Sequence, residues 1–246
     1  MANYLIISGS SDIAKASIKI LQNKNPSNKF FVTARKKEDL ESLKQEFNCE
    51  GEILDASDFQ ATENVFSKAI ENFGNIDGVC NFAGSVILKP AHLTSFEEYS
   101  NTINSSLTTA FSVVRSAGKY MKSGGSVVLI ASAVALHGLA NHEAIASAKG
   151  GVVSLAKSAA ATYASQNLRF NVVAPGLTET KLTKKITSNE ASLKFSTAMH
   201  GLGRIGKAED IANAVCYFLS EEANWSTAQV LAVDGGLSSI QPKIKI

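Results

Sequence analysis

Tyr4-Leu5-Ile6-Ile7-Ser8-Gly9-Ser10-Ser11-Asp12-Ile13-Ala14 opens the chain with an apolar run, a Gly/Ser turn and a helix starting near Asp12. The run does not alternate apolar with polar, which predicts a strand buried on both faces. Working outward, 30–34, 52–54, 78–81, 126–131, 170–173 and 230–233 read as further strands. Segments 37–47, 59–73, 96–121, 144–165 and 209–219 read as helices between them. Strands that alternate with helices, and are apolar on both faces, predict an α/β fold. It is a doubly wound parallel sheet with helices on both faces. No Pro/Gly/Ser-rich linker and no internal repeat divides 1–246, so a single domain is expected. Ligands of such sheets bind outside the carboxyl ends of the strands. The turns after Ile7, Ala34, Leu54, Asn81, Ala131 and Val173 are therefore the functional candidates.

Composition narrows the class of partner. The formal net charge is +2 over 246 residues, with scattered basic residues, and this favours neither nucleic acid nor an anionic membrane. The N-terminal apolar run is too short for a signal peptide or a membrane span. Cys49, Cys80 and Cys216 are odd in number, far apart and without metal-ligand spacing. They read as reduced thiols of a cytoplasmic protein, and no metal site is expected.

The first turn suits a dinucleotide only in part. Such a site uses glycines so that backbone approaches the pyrophosphate, whose charge faces a helix N-terminus. Gly9 is the one glycine here. Ser10 and Ser11 are small and can donate hydrogen bonds, with Ile13 following in the helix start. Asp12 is the expected N-cap. Its carboxylate is a poor neighbour for a phosphate unless turned to the backbone. After the second strand come Arg35, Lys36 and Lys37, with no acid. A cation there meets a 2′-phosphate, so NADP(H) is expected over NAD(H). The alternative is a solvated basic helix start.

Several further motifs follow in order. They are Asp55-Ala56, Asn81-Phe82-Ala83-Gly84, Pro175-Gly176-Leu177-Thr178-Glu179-Thr180, Gly203-Arg204-Ile205-Gly206 and Val233-Asp234-Gly235-Gly236. In order and spacing the chain resembles the short-chain dehydrogenase/reductase family over essentially its whole length. The resemblance implies a Rossmann-like fold and an oxidoreductase acting on a small carbonyl or alcohol. It implies that Asp55 and Ala56 contact the adenine. Asn81, Ala83 and Gly84 would border the cofactor, and Pro175, Gly176, Thr178 and Thr180 would embrace the nicotinamide amide. The family's catalytic group is a Ser, Tyr, Lys and Asn set. Ser132 matches the serine and Lys149 the lysine, which also binds the ribose. The tyrosine position falls on Ile145, which carries no proton. The asparagine position falls on Ser106, while Asn104 lies two residues early.

Three readings follow. In one, the proton donor has moved. His142 precedes Ile145 by three and Lys149 by seven, which on one helix places all three on one face. Histidine is the commonest general acid, and Glu143 is the next candidate. In the second, the protein binds NADP(H) and is catalytically silent, a sensor or subunit. In the third, the pocket performs non-redox chemistry. The family's substrate lid corresponds to 181–202, where helical and loop readings are both open. Its Lys181, Lys184, Lys185, Lys194 and His200 suit either an acidic substrate or a solvated lid. Residues 237–246 read as a tail. The resemblance also implies a homo-oligomer, dimer or tetramer, pairing the helices near 96–121 and 144–165 and the last strand.

Overall fold

The computed structural model describes residues 1–241. The strands are β1 (Asn3–Ile7), β2 (Lys29–Ala34), β3 (Glu50–Ile53), β4 (Gly78–Asn81), β5 (Gly125–Ile130), β6 (Leu168–Pro175) and β7 (Val230–Val233). The helices that cover them are α1 (Asp12–Lys24), α2 (Lys37–Phe47), α3 (Phe59–Phe73), α4 (Phe96–Ile103), α5 (Thr109–Tyr120), α6 (Glu143–Tyr163), α7 (Lys184–Thr187), α8 (Glu190–Met199) and α9 (Ala208–Leu219). The seven strands form one parallel sheet in the order β3-β2-β1-β4-β5-β6-β7. The chain runs outward from β1 to β3, then returns to place β4 on the other side of β1. That reversal opens a crevice at the carboxyl ends of β1 and β4.

Period-two alternation explains the two cores. Leu5 and Ile7 of β1 face one layer with Val113, Val152 and Ala156 of α5 and α6. Tyr4 and Ile6 face the other with Ile18, Leu43 and Ile211 of α1, α2 and α9. Both faces are apolar because both are covered. Each fully enclosed side chain such as Ile6 or Phe170 contributes roughly 1.5–3 kcal/mol of burial.

Three expectations need correction. Strand β3 is an edge, so its Glu50, Gly51, Glu52 and Ile53 are exposed or half-buried rather than enclosed on both faces. The helix expected over 96–121 is interrupted by a π-helical turn, Asn104–Thr108, between α4 and α5. Asp12 is the first residue of α1 rather than its cap; Ser11 holds the extended cap position, without a side-chain bond. The lid, for which helix and loop were both open, resolves into α7 and α8; Asn189 caps α8, its Oδ1 accepting from the Ser192 N–H at 2.9 Å. Of the tail 237–246, residues 242–246 lie outside the described residues. Among those described, no helix is long and apolar enough to cross a membrane.

Candidate functional site

The turn after β4 is built first by Asn81. Its Oδ1 accepts from the Ala83 N–H at 3.0 Å, and its Nδ2 donates to Thr109 Oγ1 at 3.3 Å. This ties the strand end to the first residue of α5. Thr109 Oγ1 also lies 3.1 Å from the Ser105 and Ser106 carbonyls at the end of the π turn. Single π turns inside α-helices recur at functional sites. Here the turn leaves Ser106 buried with its Oγ unpartnered, while Asn104 is exposed.

Lys149 approaches the same point from the second turn of α6. It is only 6 % exposed, and its Nζ donates to the Ile130 carbonyl at 2.8 Å. Burial pushes its pKa down to about 8, because the charged form loses water. Gly84 makes room for it. A Cβ at position 84 would stand 3.2 Å from Lys149 Nζ and 3.9 Å from Ser106 Oγ. An orphaned hydroxyl and an ammonium with one protein acceptor thus face a residue without a side chain. That arrangement fits the hydroxyls of a cofactor ribose.

Ser132 lies two residues past the end of β5, in extended conformation at the start of a short 3-10 turn. Its Oγ accepts a long bond, 3.4 Å, from the Val134 N–H, which leaves its own O–H free to donate. Ile145 is buried at 4 % exposure. His142 does not share a helical face with Ile145 and Lys149. It is the N-cap of α6, at φ −117° and ψ 13°, so helical spacing does not govern its side chain. Its Nδ1 lies 2.7 Å from the Ala140 carbonyl and donates to it.

At the other end of the crevice, Ser8 adopts a left-handed φ of 59° and Gly9 donates to the Thr33 carbonyl at 2.8 Å. A Cβ on Gly9 would meet Leu43 and Val32 at 3.3 Å, so this glycine serves packing against β2 and α2. Ser10, Ser11 and Ile13 are half-buried. Asp12 Oδ2 accepts from the Lys181 backbone N–H at 2.6 Å. Arg35 and Lys36 are exposed at the end of β2. Bonds from the Ser57 hydroxyl and N–H, with help from the Arg35 charge, hold the Asp55 carboxyl below the usual range. Ala56 is in the core, so its side chain is enclosed.

The loop after β6 is fixed from below by a residue whose role the sequence did not disclose. His200 is 3 % exposed, at the end of α8. Its Nδ1 lies 2.7 Å from the Ser196 carbonyl and donates to it, and its Nε2 accepts from the Leu177 N–H at 3.2 Å. It is therefore a neutral strut under the loop, not a cation of the lid surface. Gly176 is required there, since a Cβ would stand 2.7 Å from that Nε2 and 2.9 Å from Asp234 Cα. Thr178 donates to the Gly176 carbonyl, and Thr183 Oγ1 accepts from the Thr180 N–H. Lys181, Lys184, Lys185 and Lys194 are exposed.

The enoyl-(acyl carrier protein) reductase family model matches residues 12–238. The chain belongs to the short-chain dehydrogenase/reductase family. A 3-oxoacyl-[acyl-carrier-protein] reductase of Thermotoga maritima is 32 % identical over 210 residues, covering 82 % of this chain and 84 % of that protein. An L-rhamnose 1-dehydrogenase (NAD(P)(+)) of Azotobacter vinelandii is 32 % identical, covering 74 % and 73 %. A short-chain type dehydrogenase/reductase from Mycobacterium ulcerans superposes with a TM-score of 0.91 at 26 % identity, covering 98 % of this chain and 91 % of that one. ElxO with NADP bound superposes at 0.89 with 28 % identity, covering 97 % and 99 %. The fold is thus the Rossmann-like fold of this family, and the chain is an oxidoreductase of the short-chain type, a class that uses nicotinamide cofactors on small-molecule substrates.

Proposed function

We propose that this chain is an NADP(H)-dependent oxidoreductase of a small carbonyl or alcohol with an altered proton-transfer site. The observation that supports it most is the convergence of Lys149 Nζ and the unpartnered Ser106 Oγ on Gly84. Ser10, Ser11 and Ile13 border the diphosphate beside Gly9 and Asp12. Arg35 and Lys36 meet the 2′-phosphate, and Asp55 and the Ala56 backbone flank the adenine. Asn81, Ala83 and Gly84 line the ribose side; Pro175, Gly176, Thr178 and Thr180 hold the carboxamide end.

NADPH supplies the hydride when bound. Ser132 donates its hydroxyl to the substrate oxygen. Lys149 donates to the ribose hydroxyls, and its charge stabilises negative charge growing on the substrate oxygen. Ser106 takes the place of the family's asparagine, and Ile145 that of its tyrosine. His142 stays the candidate surrogate proton donor: with Nδ1 donating to Ala140, Nε2 is the nitrogen left to exchange a proton, which it gives only in the imidazolium form. The relatives named as 3-oxoacyl reductases support an oxo group as the reduced function. A second reading, a silent NADP(H)-binding sensor or subunit, is favoured by the buried, proton-free Ile145.

The test is a parallel fluorescence titration with NADPH and NADH. Binding of NADPH at least tenfold tighter, reversed by Arg35→Glu, is the expected result. Binding of neither overturns both readings. NADPH consumption with any member of a carbonyl panel then separates the enzyme from the silent protein.

We place the protein in the cytoplasm as a two-fold homo-oligomer. Exposed Phe96, Tyr99 and Phe111 on α4 and α5, and Leu231 on edge strand β7, support pairing through those elements. Sedimentation as monomer alone at micromolar concentration overturns the assembly.

A further inference from the structure

Helix α1 points its first turn at the mouth between β1 and β4. The N–H groups there carry partial positive charge, roughly half an elementary charge, and attract an anion. In this chain the anion is already built in. Asp12 places a carboxylate in that first turn, with its Oδ2 2.6 Å from the Lys181 backbone nitrogen. Lys181 follows Thr180 in the loop after β6, 169 residues along the chain. One hydrogen bond therefore joins the two walls of the mouth.

We propose that Asp12 is a clasp over the diphosphate end of the cleft, one that a dinucleotide must open before it binds. This rests on the reading of the crevice as a nicotinamide cofactor site. A closing hydrogen bond and a like charge both act against the incoming diphosphate. Two like charges a few ångströms apart near a protein surface repel one another. The exposed Arg35, Lys36 and Lys37 attract the cofactor from the far end of the crevice. The chain thus repels a dinucleotide at its centre and recovers affinity at the 2′-phosphate. The clasp lowers affinity for both nucleotides alike, and only the 2′-phosphate of NADPH recovers it through the basic residues at the end of β2.

The experiment compares the full chain with Asp12→Asn and Asp12→Gly. It reads NADPH and NADH dissociation constants, and the amide exchange rate of Lys181 without nucleotide. Asp12→Asn removes the charge and retains an acceptor; Asp12→Gly removes both. Each variant should bind both nucleotides about tenfold tighter, by similar factors because the 2′-phosphate contacts are distant. Asp12→Gly should also speed exchange at Lys181 by at least tenfold. Binding by the native chain with no tightening in either variant overturns the clasp and leaves the cofactor reading intact. Unchanged exchange in Asp12→Gly also overturns it. No nucleotide binding by any of the three proteins overturns the cofactor reading and the clasp together. Binding by the variants alone supports the clasp in its strongest form. If Asp12→Gly fails to fold, the Asp12→Asn dissociation constants decide.

Discussion

Gly84 and Lys149 are fitted to one another, for a Cβ at position 84 would stand 3.2 Å from the Lys149 Nζ. The ammonium occupies the space a side chain would fill, with the Ile130 carbonyl as its acceptor and Ser106 Oγ close by. Gly84→Ala should therefore shift the ammonium by a few tenths of an ångström. NADPH binding should weaken severalfold while the melting temperature moves by no more than about 2 °C, the shift that roughly 1 kcal/mol produces in a domain of this size. A large fall in melting temperature with unchanged affinity would make this contact structural.

Lys149 should make stability depend on pH. Unfolded, the lysine keeps its proton up to about 10.5; folded, burial makes it shed the proton at about 8. Between those values the unfolded chain binds more protons, so this residue's contribution rises with pH. Below pH 8 the penalty is fully present. Lys149→Met should be more stable than the native chain at pH 7 by up to about 3 kcal/mol, less the lost bond to Ile130. The advantage should vanish by pH 10.5. Raised pKa values of Tyr4, Cys49 and Cys216 act oppositely at high pH, but they are common to both proteins and cancel. Urea midpoints at pH 7 and pH 10 measure the gap, and a constant gap refutes it.

His200→Ala should release the floor of the loop after β6. It removes two hydrogen bonds and leaves the Leu177 N–H without an acceptor, a loss of about 2–3 kcal/mol. Limited proteolysis should then cut within α7 and α8 faster than elsewhere. Unchanged cleavage would mean that the lid is held by other contacts.

Ile145→Tyr should create or raise carbonyl reduction if the missing hydroxyl is all that separates this site from its relatives. His142→Ala should lower native turnover at least tenfold, and by roughly 10²–10⁴ if it is the sole general acid, with NADPH affinity unchanged. Turnover that survives His142→Ala excludes this histidine as the donor.

The fold was legible in the sequence, because every strand but edge strand β3 is a short run apolar on both faces, and only a covered parallel sheet buries both. The turns at the strand ends were legible too, since strand ends are readable and the crevice of such a sheet lies beyond them. What the sequence could not settle depends on contacts between residues far apart. His200 looked like one more lid cation, yet burial against Ser196 and Leu177 makes it a strut. His142 satisfied a helical spacing, but the helix begins one residue later. The π turn that buries Ser106 has no local signature in the sequence, and the contacts beside it, from Asn81 to Thr109 and from α6, come from distant segments. Asp12 read as a cap until Lys181, brought across the mouth by the return of β6, gave its carboxylate a partner. Periodicity is local and survives in a single chain; the partner of a polar atom is set only when the sheet closes.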